Sequence, residues 1–340
     1  MQHKFRRMLG MLVGSVALAS ASAHAEVTEF RMIEAGGPSG ESIEVGYITP
    51  FTENTGIKVT RESPAGLGKV RAMVESGSIT APIVELSSGE LEQAKALDLL
   101  EPLEWDAIDP EPVFEEAIDD YAIGYQYYST IMAWREGEKP LSSWADMWDV
   151  ENFPGRRAFP DYPTYILPMA LLADGVEPED LYPLDLDRAF DKLEEIKDHV
   201  SVWWQAGAQP PQLLQDNEVQ YAVSWSGRVT DIEGVGYTFE QGQLDLSYFA
   251  IPKGTPDELK QPVYQLMHEM TVAENQAAAA NVVSYTGPSE NLDPLLPQER
   301  IGKFPTVKQN RDVQFLMDSK WWYEYAEEVE LRWQEFKLGL

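Results

Sequence analysis

The chain has 340 residues, of which 44% are hydrophobic and 11% aromatic. This composition supports substantial buried cores, so it argues against whole-chain disorder, collagen-like and low-complexity architectures, and the length suits two domains. The 57 acidic residues against 26 Lys and Arg give a net charge of −31, which repels phosphate backbones and anionic membranes and argues against a nucleic-acid partner.

The first 25 residues have the three-part layout of a secretory signal peptide. Lys4, Arg6 and Arg7 precede an apolar run over residues 8–19, and small residues follow up to Ala25. We predict cleavage after Ala25 and delivery to the periplasm. The apolar run is shorter than the roughly 20 residues that a helix needs to cross a bilayer.

Two further features of the composition are the absence of Cys and the excess of acidic residues. The sequence contains no Cys, which excludes disulfides, thiolate catalysis and thiolate-bound metals. The acidic excess has two interpretations, a solvated surface suited to a saline habitat or a functional acidic surface.

Residues 26–133 alternate strand and helix patterns. The first strand, a glycine-rich turn, a helix and a second strand form a βαβ unit, which favours parallel pairing. The predicted strands cover residues 29–34, 57–60 and 83–86, and the predicted helices cover 41–51, 67–74 and 90–99. Residues 125–134, rich in aromatic and β-branched residues, are predicted to cross as a strand into a second lobe.

The middle of the chain has its own α/β pattern, and residues 246–251 are predicted to return to the first lobe. Predicted strands cover residues 157–159, 202–204 and 219–225, and predicted helices cover 165–173, 187–199, 211–216, 257–270, 273–282 and 318–336. The fold class is therefore α/β with two lobes, each a mostly parallel sheet flanked by helices. Lobe 1 takes residues 26–133 and 253–340, and lobe 2 takes 134–252.

The sequence offers little catalytic chemistry. His199 and His268 lack partners at metal-ligand spacing, so we predict no metal and no cofactor. The turn at residues 87–89 lacks the leading glycine of a nucleophile elbow, and residues 66–69 lack the rest of a phosphate-binding loop. A secreted glycosidase with two carboxylates is the enzyme alternative that remains, although we favour a protein without catalytic activity.

Charged residues near strand ends suggest a binding site instead. Arg228 follows the strand that ends at Trp225, at the edge of the sheet where α/β folds bind ligands. It can either hold a ligand carboxylate through two hydrogen bonds or pair with one of the many acids. Asp245 lies just before the return crossing, where its carboxylate can bind an ammonium group.

Aromatic residues and a glycine-rich turn accompany these charges. Trp225, Tyr128 and Tyr285 can supply π faces to a cation, although each is equally compatible with core packing. The turn over residues 36–40, which includes Ser39, precedes a helix and can present backbone N–H groups to an anionic group.

The sequence resembles the extracellular solute-binding proteins of ABC importers, and in particular the spermidine/putrescine-binding group. Six segments stand in the order that this group shows. They are Phe51–Val59, Ser143–Trp148, Asn152–Gly155, Trp225–Gly227, Phe249–Pro252 and Tyr285–Pro288. The resemblance implies a type II periplasmic binding protein, whose two lobes close on a ligand about two hinge strands and deliver it to a membrane permease. A monomer is expected.

The resemblance also implies ligand contacts. Ser87, Trp225 and Tyr285 match contacts of the family, whereas the carboxylates that bind polyamines are not matched, because tyrosines occupy the stretch from Asp161 to Tyr165. Residues 203–209 and the Trp-x-Gly-Arg turn are similar to γ-aminobutyrate binders. The predicted ligand-binding set is Ser39, Ser87, Tyr128, Asp161, Tyr165, Trp204, Trp225, Arg228, Asp245 and Tyr285.

Charge decides between the two candidate ligand classes. A polyamine buried beside Arg228 suffers like-charge repulsion as well as desolvation. A zwitterion instead places its carboxylate on Arg228 and its ammonium on Asp245. We therefore predict a small ω-amino acid or betaine as the ligand, with a polyamine as the alternative.

Overall fold

The computed structural model describes residues 27–339, so the predicted signal peptide and its cleavage site lie outside the described residues. In this part of the chain nine strands form one mixed sheet. The strands are β1 Glu29–Ile33, β2 Lys58–Glu62, β3 Ile83–Ser87, β4 Ala122–Arg135, β5 Arg157–Pro160, β6 Val200–Trp204, β7 Tyr221–Trp225, β8 Val235–Ala250 and β9 Phe315–Leu316.

Helices cover both faces of this sheet. In the first third they are α1 Gly37–Ile43, a π-helical turn Glu44–Ile48, α2 Thr49–Thr55, α3 Leu67–Ser76, α4 Ser88–Ala96 and α5 Trp105–Ile108. The middle contributes α6 Trp144–Trp148, α7 Leu167–Ala173, α8 Leu186–Ile196, α9 Gln209–Gln215 and α10 Ser226–Val229. The last are α11 Asp257–Glu269, α12 Ala273–Ala280, α13 Lys308–Arg311, α14 Ser319–Glu324 and α15 Ala326–Lys337. None of the helices between residues 27 and 339 is long and apolar enough to span a membrane.

The sheet has two parallel halves joined by two antiparallel strands. Its order is β2-β1-β3-β8-β4-β7-β5-β6, with β9 paired to β8. β1 runs parallel to β2 and β3, and β5 runs parallel to β6 and β7, as βαβ connections require. The long strands β4 and β8 pair antiparallel between the halves. The predicted α/β fold with two lobes and two crossing strands is confirmed, although β8 begins eleven residues before the predicted return strand.

Each half has its own buried core. In the first half Phe30, Tyr47 and Phe51 pack with Val263 of α11, and in the second half Trp144 packs with residues of α7 and α8. Burial of this apolar surface is the main stabilising term of each lobe.

The end of the chain departs from the predicted lobe boundaries. Trp321, Trp322, Trp333 and Phe336 of α14 and α15 are buried in the core of the second half, whereas the predicted lobe 1 includes residues 253–340. The predicted helix over 318–336 is also two helices, with a break at Tyr325. Helical spacing predicts that the aromatic residues of this stretch are packed, but it does not show which lobe they cover.

A buried carboxyl lies in the sheet of the first half. Glu85 of β3 is 7% exposed, and its Oε2 accepts the backbone N–H of Ala35 at 2.6 Å. Burial raises the pKa of Glu85 from its ordinary value of 4.5 to about 7, although hydrogen bonds from Ala35 and Tyr125 oppose the rise. The folded protein therefore retains a proton at pH values where the unfolded chain has released it.

This proton makes stability depend on pH. The folded pKa is the higher one, so the free energy of unfolding falls as pH rises from 4.5 to about 7 and stays reduced above that range. Replacing Glu85 by Gln should raise the free energy of unfolding by on the order of 1–3 kcal/mol at pH 8, with little change at pH 4. Urea unfolding at both pH values measures this, with Glu53→Gln on exposed α2 surface as the control. Equal effects of Glu85→Gln at both pH values would contradict the prediction.

Candidate functional site

The register of the crossing strands brings the site residues together. Tyr128 of β4 lies opposite Asp245 of β8, and Thr130 of β4 lies opposite Trp225 of β7. Side chains of directly opposed residues share a face of the sheet. Three strands that are distant in sequence therefore place their side chains at the junction between the two halves.

Asp245 is a buried carboxylate held by uncharged donors. It is 3% exposed; its Oδ1 accepts the Ser88 hydroxyl at 2.8 Å and the Leu246 N–H at 2.7 Å, and its Oδ2 accepts the Tyr128 hydroxyl at 2.6 Å. Burial raises the pKa of Asp245, and these three hydrogen bonds oppose the rise. An ammonium group brought to this carboxylate would therefore offset an existing desolvation cost.

Five rings form an aromatic cluster centred on Trp225. The Tyr162 ring stacks on the Trp225 ring at 6.5 Å, and the Tyr165 ring meets it edge-on at 5.8 Å. The Tyr128 ring lies 6.5 Å from Trp225 and 6.0 Å from Tyr285. The aromatic cluster, defined as Tyr128, Tyr162, Tyr165, Trp225 and Tyr285, offers both π faces and apolar edges to a ligand.

Arg228 lies on short helix α10, directly after β7. Its buried Nε has no hydrogen-bond partner among residues 27–339, and neither has Nε1 of Trp225. The arginines that form ion pairs in this part of the chain are Arg31, Arg61, Arg188, Arg300, Arg311 and Arg332, so Arg228 is not neutralised by a carboxylate there. The role of Arg228 as a ligand clamp stays a prediction, and the lack of an ion pair in residues 27–339 is compatible with it.

Two glycines allow these side chains to approach the backbone. A Cβ at Gly207 would lie 2.6 Å from Cε3 of Trp225 and 3.4 Å from Nε of Arg228. A Cβ at Gly227 would lie 2.4 Å from Cε1 of Tyr285. Any larger residue at these positions has to displace a ring of the site.

Tyr285 links the arginine to the aromatic cluster. Burial raises the pKa of the Tyr285 hydroxyl, and the positive charge of nearby Arg228 opposes that rise. The cluster thus has a cation beside Tyr285 and the Asp245 carboxylate behind Tyr128.

Three other predicted residues have contacts within the protein. Ser87 caps α4, where its hydroxyl accepts the Glu90 N–H at 3.3 Å. Ser39 donates to Gln126 Oε1 at 2.8 Å. Trp204 is fully buried and supports Trp225 edge-on at 5.2 Å. Ligand contact by these three residues stays a prediction.

Asp161 also has partners within the protein. Its carboxylate accepts Nε1 of Trp333 at 3.1 Å and Nε2 of Gln205 at 2.8 Å, and it pairs with Lys337 at 3.1 Å. Direct ligand contact by this side chain is likewise still a prediction.

Two residues of the site escaped the sequence analysis. Ser88, not Ser87, donates to Asp245, because the first hydroxyl is used for the helix cap. Tyr162 belongs to the same loop as Tyr165 and stacks on Trp225. The tyrosine-rich stretch of residues 161–165 already points to Tyr162. Nothing in the sequence indicates which of the adjacent serines Ser87 and Ser88 contacts Asp245.

The arrangement is suited to binding. It combines a carboxylate with uncharged partners, a guanidinium without an ion pair in residues 27–339, and a cluster of rings, which are the kinds of group that bind small charged molecules. No group of three or more His, Cys, Asp or Glu side chains with the geometry of a metal site occurs in the described part of the chain.

Comparisons with known proteins identify the family of the chain. Residues 46–299 match the model of the family described as bacterial extracellular solute-binding protein. The chain is 31% identical over 326 residues to the γ-aminobutyric acid-binding protein of Pseudomonas aeruginosa, covering 92% of each chain.

Two solved structures are similar over nearly the whole chain. An ABC transporter substrate-binding protein from Bradyrhizobium japonicum is 32% identical with a TM-score of 0.85, over 91% of this chain and 99% of that one. The Atu4243–GABA receptor is 30% identical with a TM-score of 0.82, over 91% of this chain and 97% of that one. On the strength of the family match and of these likenesses, the chain belongs to the bacterial extracellular solute-binding proteins.

Proposed function

We propose that this protein is the periplasmic substrate-binding component of an ABC importer and that its ligand is a small zwitterion, such as an ω-amino acid or a betaine. The observation that carries the ligand class is the pair of opposite charges without charged partners, Arg228 beside the aromatic cluster and Asp245 behind it. The names of the γ-aminobutyrate-binding relatives support the same class.

The charges favour a zwitterion over a polyamine. Binding a zwitterion supplies a carboxylate to Arg228 and a cation to Asp245, so both desolvated charges gain a partner. A polyamine brings only positive charge and leaves Arg228 unpaired. Methylenes or methyl groups of the ligand then pack against the rings of Trp225 and Tyr162.

The proposal includes a mechanism without covalent chemistry. Ligand binds at the junction, the strands β4 and β8 flex, and the closed form is recognised by a membrane permease. Lobe 1 takes residues 27–133 and 253–314; lobe 2 takes 134–252 and, because α14 and α15 pack in its core, 315–339. Ligand favours closure only through its higher affinity for the closed state. Export through a signal peptide cleaved after Ala25 and a monomeric state complete the proposal.

Charge-removing variants test the ligand class. Arg228→Ala should weaken the binding of γ-aminobutyrate by about 100-fold or more, since it removes the partner of the ligand carboxylate. Asp245→Asn should weaken it by a similar factor by removing the partner of the ammonium. Isothermal titration calorimetry with γ-aminobutyrate, glycine betaine and putrescine measures both effects.

The control is Arg188→Ala, which removes an exposed arginine paired with Asp174 and should leave affinity unchanged. Full affinity of Arg228→Ala for γ-aminobutyrate would refute the proposed clamp. Tight binding of putrescine without any response to the zwitterions would reverse the ligand ranking, and turnover of a glycoside would show an enzyme.

A steric variant tests the position of the site. Gly207→Ala places a methyl group against the rings of Trp225 and should lower affinity about tenfold, because overpacking displaces site side chains. Gly68→Ala, whose Cβ meets no neighbour within 4 Å, is the matched control and should bind normally. Equal affinities of the two variants, measured by the same titration, would argue against a ligand beside Trp225.

A further inference from the structure

The last segment of the chain, residues 315–337, touches three elements that carry residues of the site, namely β8, α4 and the loop of residues 161–165. Strand β9 pairs with β8 at Gln243 and Leu244, and the N–H of Met317 donates to the Leu244 carbonyl at 3.0 Å. This pairing lies immediately before Asp245 on β8. The segment is therefore attached to a crossing strand beside the acid of the site.

The same segment reaches the first lobe through α14, which packs against α4. Helix α4 begins with Ser88, the donor to Asp245. A cavity of about 190 Å³ lies where these helices meet. Its lining includes Gln93 of α4, Pro163 of the loop of residues 161–165, and Trp322 of α14. Elements of both lobes thus meet at the C-terminal helices.

Asp161 is the strongest connection between these helices and the site. Its side chain is only 10% exposed and receives hydrogen bonds from Trp333 and Lys337 of α15 and from Gln205. Burial by itself would raise the pKa of Asp161, but these three donors together lower it, so the carboxyl is ionised and held in place.

The loop that Asp161 opens carries two rings of the aromatic cluster. The Asp161 N–H donates to the Trp204 carbonyl at 2.8 Å, and the Tyr165 N–H donates to the Tyr162 carbonyl at 3.1 Å. Tyr162 and Tyr165 both contact Trp225. Asp161 therefore joins helix α15 to the loop that carries two rings of the aromatic cluster.

We propose that Asp161 is a positioning residue, which holds the loop of residues 161–165 in its ligand-binding geometry by anchoring it to helix α15. The expected change in ligand dissociation rests on the proposed function, whereas the anchoring itself can be measured by hydrogen exchange in the ligand-free protein. It replaces the direct ligand contact predicted from the sequence. Tyr162 and Tyr165 of this loop contact Trp225, so a loose loop should shorten the lifetime of the complex.

Two variants of the full chain remove the ion pair between Asp161 and Lys337, each by changing one of the two partners. Asp161→Asn keeps the size of the side chain and removes its charge, and Lys337→Met keeps the length of the partner and removes its charge. Both should increase amide hydrogen exchange at Tyr165 and Ile166 in the ligand-free protein. Both should also raise the dissociation rate of γ-aminobutyrate by about tenfold while changing the association rate little.

A double variant and a control make the test specific. Because both substitutions break one interaction, Asp161→Asn with Lys337→Met should dissociate no faster than the more affected single variant. Asp174→Asn removes the carboxylate of an exposed ion pair with Arg188 in the same lobe and should change neither readout.

Three results would overturn the inference. Loss of binding in Asp161→Asn with normal binding in Lys337→Met would show direct ligand contact. Unchanged exchange and dissociation in both single variants would show that the anchor does not control the loop. Additive effects in the double variant would show two independent interactions. If the unaltered protein binds no compound of the panel, the proposed function fails, and hydrogen exchange at Tyr165 still decides whether Asp161 anchors the loop.

Discussion

The antiparallel pairing of β4 and β8 is the constraint on which the rest of the structure depends. These two strands are the connection between two parallel half-sheets, and their register sets Tyr128 opposite Asp245. A shift of β8 by one residue would turn Asp245 to the other face of the sheet and separate it from Tyr128 and Trp225. In the proposed mechanism the lobes move about these same two strands.

Charge distribution explains why this junction is suited to a ligand. A protein with a net charge of −31 has many acids available to neutralise an arginine, yet Arg228 is without a carboxylate partner in residues 27–339. Nearby Asp231 is already paired with Arg300 and Lys303. Keeping opposite charges apart in a desolvated region costs free energy, and the zwitterion that we propose as ligand would recover part of this cost on binding.

Asp161, which begins the loop of residues 161–165, and Asp245 of β8 have different environments. Asp161 has a cation and two uncharged donors, which favour its ionised form, whereas Asp245 has uncharged donors alone. Removing the positive partner of Asp161 would weaken the attachment of its loop, whereas adding a positive partner to Asp245 would stabilise that carboxylate. The same side-chain type thus supports the architecture in one place and offers a binding group in the other.

Local patterns in the sequence determined the α/β class, the two crossing strands and the prominence of Arg228, Asp245 and Trp225, because strand and helix periodicity and the rarity of basic residues are visible along the chain. Tertiary structure alone decided that Ser88 and Tyr162 join the site, that Trp204 lies behind it, and that α14 and α15 cover the second lobe. These outcomes depend on strand register, on helix capping and on which apolar faces meet across long sequence separations. Such contacts involve residues far apart in the chain, so no local pattern contains them.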